Sequence, residues 1–407
     1  MRILHAQAPR LALAARPGHP WLASDLANGL WLDDALPEAL SWARWATRST
    51  QASVHPLAWR TLGNILLDLG RYAEADATYQ RADPKGCVAA TQFNRSKARL
   101  GLGDWASAWS LAEQRLVLDP LPDGVMVGPW WQGWPDAETM TVWSEQGLGD
   151  GLQFVRWLPA LLDRGKRVRL LVDSPLVRLL QQGLAWLGPR LEVEERSAAD
   201  TPPSGCHGSL LSLPWRLGLP QPPWPGPKGY LRLQSNSQRS PTAMGPPRLG
   251  LLWGSGRYLD GHTKERDYRR KTLLGQPLLE LLEALAQRPC DLVNLQVGPD
   301  RAAADPAGPI WADALDPGAD FLALAEQLRS LDLVLCVDTA AAHLAGAMGL
   351  EAWVLLPWAA ASRWQREGTR TPWYPTVRLW RQPRRGDWSA LWPTLLAALD
   401  SRWNNAS

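Results

Sequence analysis

Apolar residues recur at helical spacing through the first 120 or so residues of the chain. The segments with this spacing are "ALPEALSWARWATRS", "PLAWRTLGNILLDLGRYAEADATYQRAD" and "AATQFNRSKARLGLGDWASAWSLAEQRLVLD". Apolar side chains three and four residues apart share one face, so the pattern predicts amphipathic helices. Two stretches that begin at Leu69 and Leu102, 33 residues apart, share Leu-Gly, an aromatic residue and alanines at matched places. A period of this length predicts a helix-turn-helix repeat.

The earlier copy of this repeat resembles the tetratricopeptide pattern. The matching positions are Trp59, Leu62, Gly63, Ala75, Tyr79 and Ala82. Small residues let two helices approach closely, and the aromatic residues fill the groove of the next pair. "EALSWARWA" is a candidate second helix of an earlier, less regular repeat. Because two or three repeats bury little surface, we expect the repeats to pack against the chain that follows.

Strands and helices alternate after the helical region. Residues 118–138 are rich in Pro, Gly and Trp, which predicts a linker. The predicted strands that follow are "TMTVWSE", "RVRLLVD" and "RLEVEE", separated by the predicted helices "GLQFVRWLPALLDRG" and "SPLVRLLQQGLAWLG". This alternation predicts βαβ units and a parallel sheet. Pro-rich chain up to about residue 247 predicts an interdomain link.

A second α/β unit follows the link. Its predicted strands are "RLGLLWGSG", "CDLVNLQVG", "LDLVLCVD" and "LEAWVLLP", and its predicted helices are "QPLLELLEALAQ", "DFLALAEQLRSL" and "TAAAHLAGAMG". The expected fold class is therefore α/β, with helical repeats in residues 1–120 and α/β domains in residues 121–245 and 246–407. The last helix is a candidate for packing back on the first α/β domain.

Composition narrows the functional classes. The chain has 407 residues with 45% apolar and 20% charged residues, as in soluble globular proteins, and its net charge of +3 does not favour nucleic acid or a membrane surface as partner. Four scattered cysteines without a CxxC motif predict neither a zinc site nor disulfides, so a cytoplasmic location is expected. Neither a signal peptide nor a transmembrane segment is predicted. The 25 tryptophans are interpreted as core filler, with a stacking platform for bases or sugars as the alternative.

The first candidate site is "EQGLGD", between a predicted strand and a predicted helix. Asp150 has two interpretations. It could cap the helix, since a carboxylate there accepts from free backbone N–H groups. It could also act as a general base facing an interdomain cleft. On the second interpretation Glu145, Gln146 and Gly149 lie on the side of the substrate whose proton Asp150 would accept, and the glycines leave room for that substrate.

The second candidate site is "LLWGSGR", where Gly254, Ser255 and Gly256 follow a strand. Glycine-rich turns let backbone N–H groups approach a phosphate, although the turn does not satisfy GxGxxG. The basic run at residues 257–271 could neutralise a diphosphate, with Arg269 or Lys271 as the contact. A solvated loop is the alternative.

The third candidate site is "VDTAAAHLAGAMG", where Asp338 and Thr339 end a strand and His343 lies one helical turn beyond. The alanines around them permit a ligand to approach the helix N-terminus, which favours anions. The alternative is an Asp N-cap with the histidine buried against the sheet.

These motifs together resemble glycosyltransferase family 9, the heptosyltransferase-type enzymes. The whole chain looks like bacterial tetratricopeptide-repeat proteins that carry such a GT-B module. The motifs that support this are "EQGLGD", "LLSLP", "GLLWGSG", "VDTAAAHLAGAMG" and the tail "WYPTVRLWRQ…GDW", which occur in this order. The resemblance covers most of the chain from about residue 52 to 388.

The resemblance implies a GT-B fold of two Rossmann-like domains and a metal-independent, inverting glycosyltransferase without a resident cofactor. The nucleotide-diphosphate sugar would then be a co-substrate. By position, Asp150 would be the base, and Asp338, Thr339 and His343 would contact the donor. The acceptor would be a protein or glycan hydroxyl, with the repeats as a candidate binding surface. Heptose as donor does not follow, because Ala340 replaces the usual glycine.

Two other functions were compared with glycosyl transfer. A non-catalytic interaction protein with a degenerate GT-B module remains open, because repeats of this kind bind partners. A dehydrogenase is disfavoured because the chain lacks the GxGxxG fingerprint of dinucleotide-binding domains.

Overall fold

The structure is a computed structural model that describes residues 5–48, 55–118, 138–196, 206–223, 226, 229–234, 245–256, 262–308 and 310–404. The chain divides into two compact units. The first contains residues 1–121 together with the later segments 257–269 and 359–367, and the second contains the remaining chain. This division differs from the three consecutive domains expected from sequence. Both expected α/β domains fall in one unit, and residues 257–269 and 359–367 of the second one belong to the helical unit instead.

The described part of the first 121 residues forms eight helices. They are α1 Gln7–Ala15, α2 Pro20–Leu32, α3 Leu36–Ala46, α4 His55–Asp68, α5 Tyr72–Ala82, α6 Ala89–Gly101, α7 Trp105–Ala112 and α8 Arg115–Leu118. Consecutive helices pack in pairs, α2 with α3, α4 with α5 and α6 with α7. Gly63 of α4 makes the second pairing possible, since a Cβ there would lie 2.5 Å from the ring of the fully buried Tyr79. The predicted helix pairs are confirmed, with the small and aromatic positions at their contact.

Segments from far along the chain complete the helical unit. Arg266 is 4% exposed, and its guanidinium donates to Asp68 at 2.6 Å and to the Trp31 carbonyl at 3.0 Å. The same guanidinium lies 4.0 Å above the Trp31 ring. A side chain of Gly70 would collide with Arg366. The helical unit therefore uses part of its surface to bind its own chain.

Among the residues that the structure describes, the first sheet of the second unit has four parallel strands in the order β3-β2-β1-β4. The strands are β1 Thr139–Trp143, β2 Arg167–Val172, β3 Leu191–Glu195 and β4 Cys206–Ser209. The associated helices are α9 Leu148–Phe154, α10 Leu158–Leu162, α11 Ser174–Gly183 and α12 Leu213–Arg216. Strand order reverses between β1 and β4, so their carboxyl ends flank a topological switch point, where ligands of parallel sheets bind.

In the described chain, the second sheet has six parallel strands in the order β10-β9-β8-β5-β6-β7. The strands are β5 Arg248–Leu252, β6 Asp291–Asn294, β7 Trp311–Ala314, β8 Leu333–Val337, β9 Ala352–Leu356 and β10 Val377–Arg381. The helices are α13 His262–Lys271, α14 Gln276–Ala286, α15 Phe321–Arg329, α16 Ala340–Ala347 and α17 Trp392–Asn404. Its switch point lies between β5 and β8. The second and third candidate sites follow these two strands, so both lie at the carboxyl ends of the strands beside this switch point.

Several elements differ from their sequence predictions. The single helix expected after β1 is broken into α9, a 3-10 turn and α10, where Pro159 lacks the N–H that a continuous helix needs. The solvated-loop alternative for the basic run is wrong for residues 262–271, which form α13. The strands β4, β7 and β10 were not among the predicted strands. The predicted linker at 119–137 and the Pro-rich stretch at 235–244 lie outside the described residues.

The last helix, α17, packs on the second sheet. Leu395 and Leu399 belong to the same buried cluster as Leu282 of α14, and Arg402 pairs with Glu351 at 2.9 Å. The idea that this helix packs back on the first α/β domain is therefore wrong for these residues. Among the helices of the described chain, none has the length and apolarity that crossing a membrane requires.

The contact between α4 and α5 gives a stability test. Gly→Ala in a helix ordinarily stabilises by about 0.5–1 kcal/mol. We expect Gly63→Ala instead to destabilise by about 1–3 kcal/mol, because the new methyl group meets the Tyr79 ring. Denaturant unfolding followed by circular dichroism measures the change. In a Tyr79→Leu background the same substitution should lose its penalty, and an equal penalty in both backgrounds would contradict this packing.

Candidate active site

Asp150 lies in the first turn of α9, at the carboxyl end of β1. Gly147 is the N-cap residue, and its N–H donates to the Asp150 carboxylate at 3.2 Å. This is half of a capping box, in which Asp150 is the third residue of the helix. Asp150 therefore accepts from a backbone N–H at the helix start, but the expectation that it is the N-cap residue is wrong, because Gly147 holds that position. Asp150 is half-buried, and a carboxylate held in this way has a fixed orientation.

Glu145 and Gln146 form the turn between β1 and α9. Gln146 is exposed and has a φ of 62°, a left-handed conformation that non-glycine residues adopt at a cost. The Glu145 carboxylate accepts a hydrogen bond from Ser209, at the end of β4. Both strand ends of the first switch point are therefore joined by polar side chains.

Gly254 and Ser255 follow β5, but their N–H groups are already bonded within the protein. Gly254 donates to Gln296 at 2.7 Å, and Ser255 donates to Thr272 at 3.3 Å. A side chain at 254 would lie 2.8 Å from a carboxylate oxygen of Asp300. The expectation that these two N–H groups cradle a phosphate is therefore wrong in this geometry, and the glycine is required by the packing of Gln296 and Asp300. Gly256 is exposed and is followed by undescribed residues.

The two candidate cations of the basic run lie in different units. Arg269 groups with the helical unit, whereas Lys271 groups with the sheets. The Lys271 ammonium lies 2.9 Å from the carboxylate of Asp338, whose side chain is 5% exposed. Removing one partner of a buried ion pair costs about 3–5 kcal/mol. Lys271 therefore neutralises the carboxylate at the end of β8.

Thr339, rather than Asp338, is the N-cap residue of α16, and its side chain forms no capping hydrogen bond. The N-cap alternative for Asp338 is therefore wrong. His343 is 4% exposed and its Nδ1 lies 2.8 Å from the Tyr374 hydroxyl, which fixes the orientation of the imidazole ring. The start of α16 thus carries an oriented histidine beside a neutralised carboxylate.

The first and third candidate sites come together because α9 packs against α16. A side chain at Gly149 would lie 2.9 Å from the His343 ring and 3.4 Å from Ala340. The absence of a side chain at Gly149 permits this approach. The cleft expected between the two motifs is closed at this point, so Asp150 and His343 belong to neighbouring helices in direct contact.

A buried arginine that the sequence analysis missed supports the same region. Arg156, 3% exposed, donates to the Trp373 carbonyl at 2.8 Å and to the Tyr230 hydroxyl at 3.3 Å. Its guanidinium lies 4.8 Å from the ring centres of both Tyr230 and Tyr374. A single charge inside the apolar run "LQFVRWLPALL" was the available signal, because burying an unsatisfied charge is costly. Arg156 therefore positions Tyr374, which in turn holds His343.

Cys336, at the end of β8, is fully buried. Burial raises the pKa of its thiol well above the ordinary value, and the charge of Asp338 raises it further. The residue is therefore a neutral thiol and not a nucleophile. Within the described ranges, no group of three or more His, Cys, Asp or Glu side chains could hold a metal ion.

No protein-family model matches the chain. The chain is similar to Protein FlbA of Caulobacter vibrioides, with 26% identity over 373 residues that cover 82% of this chain and 59% of that protein. It therefore spans well under two thirds of the length of the curated relative that it matches.

Solved structures with a related arrangement include ADP-heptose lps heptosyltransferase II from E. coli. It is 11% identical, with a TM-score of 0.46, and the match covers 65% of this chain and 99% of that one. An O-GlcNAc transferase mutant from Thermobaculum terrenum is 14% identical with a TM-score of 0.29, covering 86% of this chain and 78% of that one. Both scores are low, and the interpretation of the site rests on its own residues.

The contact of α9 with α16 predicts a position-specific effect of a methyl group. Gly149→Ala should lower the melting temperature, by an amount that corresponds to about 1–3 kcal/mol, because the new methyl group would lie 2.9 Å from the His343 ring. Gly147→Ala is the matched control, since a side chain there would meet only Asp150, at 3.4 Å. Equal melting temperatures of the two variants would contradict the close approach.

Burial of the cysteines predicts their order of alkylation. Burial also raises the pKa of Cys290 to about 11, so about one thiol in a thousand is ionised at about pH 8. We expect iodoacetamide to label the exposed Cys87 in the native protein and to spare Cys290 and Cys336 until the chain is unfolded. Mass spectrometry of the labelled peptides checks this, and rapid native labelling of Cys336 would contradict it.

Proposed function

We propose that this protein is an inverting glycosyltransferase of GT-B type. It transfers a sugar from a nucleotide-diphosphate donor to a protein or glycan hydroxyl, without a metal ion. The observation that carries the proposal is the contact of α9 with α16 beside Gly149, because it joins a half-buried carboxylate to a histidine and a helix N-terminus at the ends of two parallel sheets.

Asp150 is the proposed general base. Its carboxylate accepts from the Gly147 N–H and is thereby oriented, which a base needs in order to reach one particular hydroxyl. In the reaction the acceptor oxygen would lose its proton to Asp150 and attack the anomeric carbon of the donor. The bond from that carbon to the diphosphate oxygen would break, with inversion. Glu145 and Gln146 lie beside this position on the acceptor side.

The proposed donor site is the start of α16. Helix N-termini favour anions, and Thr339 leaves its first N–H groups without a side-chain cap. Lys271 neutralises Asp338, so that carboxylate would accept hydrogen bonds from a sugar or ribose without repelling the diphosphate. His343 would donate to a donor oxygen, with its ring held by Tyr374. Gly256 remains a proposed donor contact.

The helical repeats are a proposed acceptor-binding surface of tetratricopeptide type. Arg266 shows that part of this unit already binds a segment of its own chain, so the acceptor would use the remaining surface.

A non-catalytic scaffold is the second candidate function. It is favoured by one observation, the engagement of the Gly254 and Ser255 N–H groups within the protein, which removes two expected phosphate ligands. A scaffold would bind a partner through residues 1–120 and would bind no nucleotide sugar.

Donor binding separates the two functions. A thermal-shift panel of UDP-, GDP-, ADP- and CMP-sugars should contain one class that raises the melting temperature, since binding to the native state stabilises it. His343→Ala should weaken binding of that class by about tenfold in calorimetry, the loss expected for one hydrogen bond to a charged group. Absence of any shift with all four classes would favour the scaffold.

The role of Asp150 is tested by Asp150→Asn. This variant keeps an acceptor for the Gly147 N–H but lacks a basic carboxylate, so transfer should fall by about 100-fold or more while donor affinity stays within a few-fold. Turnover is measured as release of the nucleoside diphosphate. Glu138→Gln, an exposed carboxylate before β1, is the control and should keep full activity. Full turnover of Asp150→Asn would contradict the assignment.

A further inference from the structure

A cavity lies at the amino ends of the strands of the six-stranded sheet, where β9 and β10 begin. Its volume is about 440 Å³, within the range of sites for small molecules. The lining residues are Glu351, Trp353, Arg370, Thr376, Arg378, Ala398, Ser401 and Arg402. Because these residues cluster at the amino ends of the strands and on α17, the cavity is separate from the candidate active site at the carboxyl ends.

Two arginines of this cavity face each other across a backbone bridge. Arg370 and Arg378 are directly opposite in an antiparallel pair, next to a hydrogen bond from the Leu379 N–H to the Thr369 carbonyl at 2.9 Å. Directly opposed residues place their side chains close together, and like charges there are destabilising. Within the described part of the chain, neither guanidinium forms an ion pair.

Arg378 is held in place by aromatic rings instead. Its guanidinium carbon lies 4.2 Å from the ring centre of Trp380 and 5.3 Å from that of Trp353. Stacking fixes the plane of the guanidinium and leaves its N–H donors available. The nearby Thr376 hydroxyl oxygen is buried and has no hydrogen-bond partner among the described residues. Arg378 therefore presents an oriented guanidinium to the cavity, whereas Nη1 of Arg370 donates to the Pro375 carbonyl at 3.4 Å.

Glu351 is the single carboxylate among the described lining residues, and it is not available as an ion-pair partner for Arg370 and Arg378. Glu351 accepts from Arg402 at 2.9 Å and 3.1 Å through both of its oxygens. Three arginines against this one carboxylate leave the lining with a positive excess. An anion is the chemical complement of such a lining, and a tetrahedral dianion matches two adjacent guanidinium groups.

We propose that this cavity is a binding site for a phosphate dianion, with Arg370 and Arg378 as its ligands. The phosphate is either free or carried on a small molecule, for which the volume leaves room. Thr376 donates a further hydrogen bond from its buried hydroxyl. The site does not depend on the proposed transferase activity.

Calorimetry of the full chain with inorganic phosphate and with glucose 6-phosphate, at constant ionic strength, tests the site. We expect Arg370→Gln and Arg378→Gln each to weaken binding by about tenfold or more, and the double variant to abolish it. Arg384→Gln is the matched control, because its side chain is 81% exposed and lies outside the cavity.

Melting temperatures measured with and without phosphate are a second test, which also shows whether a variant is folded. Without phosphate, either single variant should melt at or above the wild-type temperature, because a repulsion is removed. Phosphate should raise the melting temperature of the wild type and of Arg384→Gln only. Tighter binding of glucose 6-phosphate would assign the site to a phosphomonoester, and tighter binding of inorganic phosphate to the free ion. A shift that sodium chloride reproduces, or unchanged affinity in the double arginine variant, would overturn the proposal.

Discussion

The close approach of α9 to α16 is the contact on which the candidate active site depends. It exists because Gly149 has no side chain where the ring of His343 and the backbone of Ala340 pass. The two helices follow β1 and β8, which lie beside the switch points of their sheets. Parallel strands direct their carboxyl ends toward one edge, so a single glycine brings polar residues from two sheets together.

The residues around this contact are held by partners at each step. Lys271 neutralises Asp338, Tyr374 orients His343, and Arg156 stacks on the ring of Tyr374. A buried polar group without a partner is costly, so each of these bonds also fixes a geometry. Such fixed geometry is what transition-state stabilisation requires, and it equally maintains a scaffold. Binding of a nucleotide sugar therefore distinguishes a glycosyltransferase from a scaffold.

The carboxyl ends and the amino ends of the strands in the six-stranded sheet differ in their electrostatics. At the carboxyl edge the buried carboxylate of Asp338 has its own lysine. At the amino edge Arg370 and Arg378 are opposed, and Glu351 is already bonded to Arg402. A protein that keeps two opposed arginines retains a repulsion that a bound anion would remove. The amino edge therefore has the properties of a ligand site rather than of a structural ion-pair network.

The sequence by itself determined the helix pairs around Gly63, the two parallel sheets and the positions of Asp150, Asp338 and His343, because periodicity and turn residues act over a few neighbours. It did not reveal that Lys271 forms an ion pair with Asp338, nor that the Gly254 N–H donates to Gln296. These pairings depend on strand order and helix packing, which join residues far apart in the chain. Only the tertiary structure could decide them, since the free energy of a buried polar group depends on the partner that the fold places beside it.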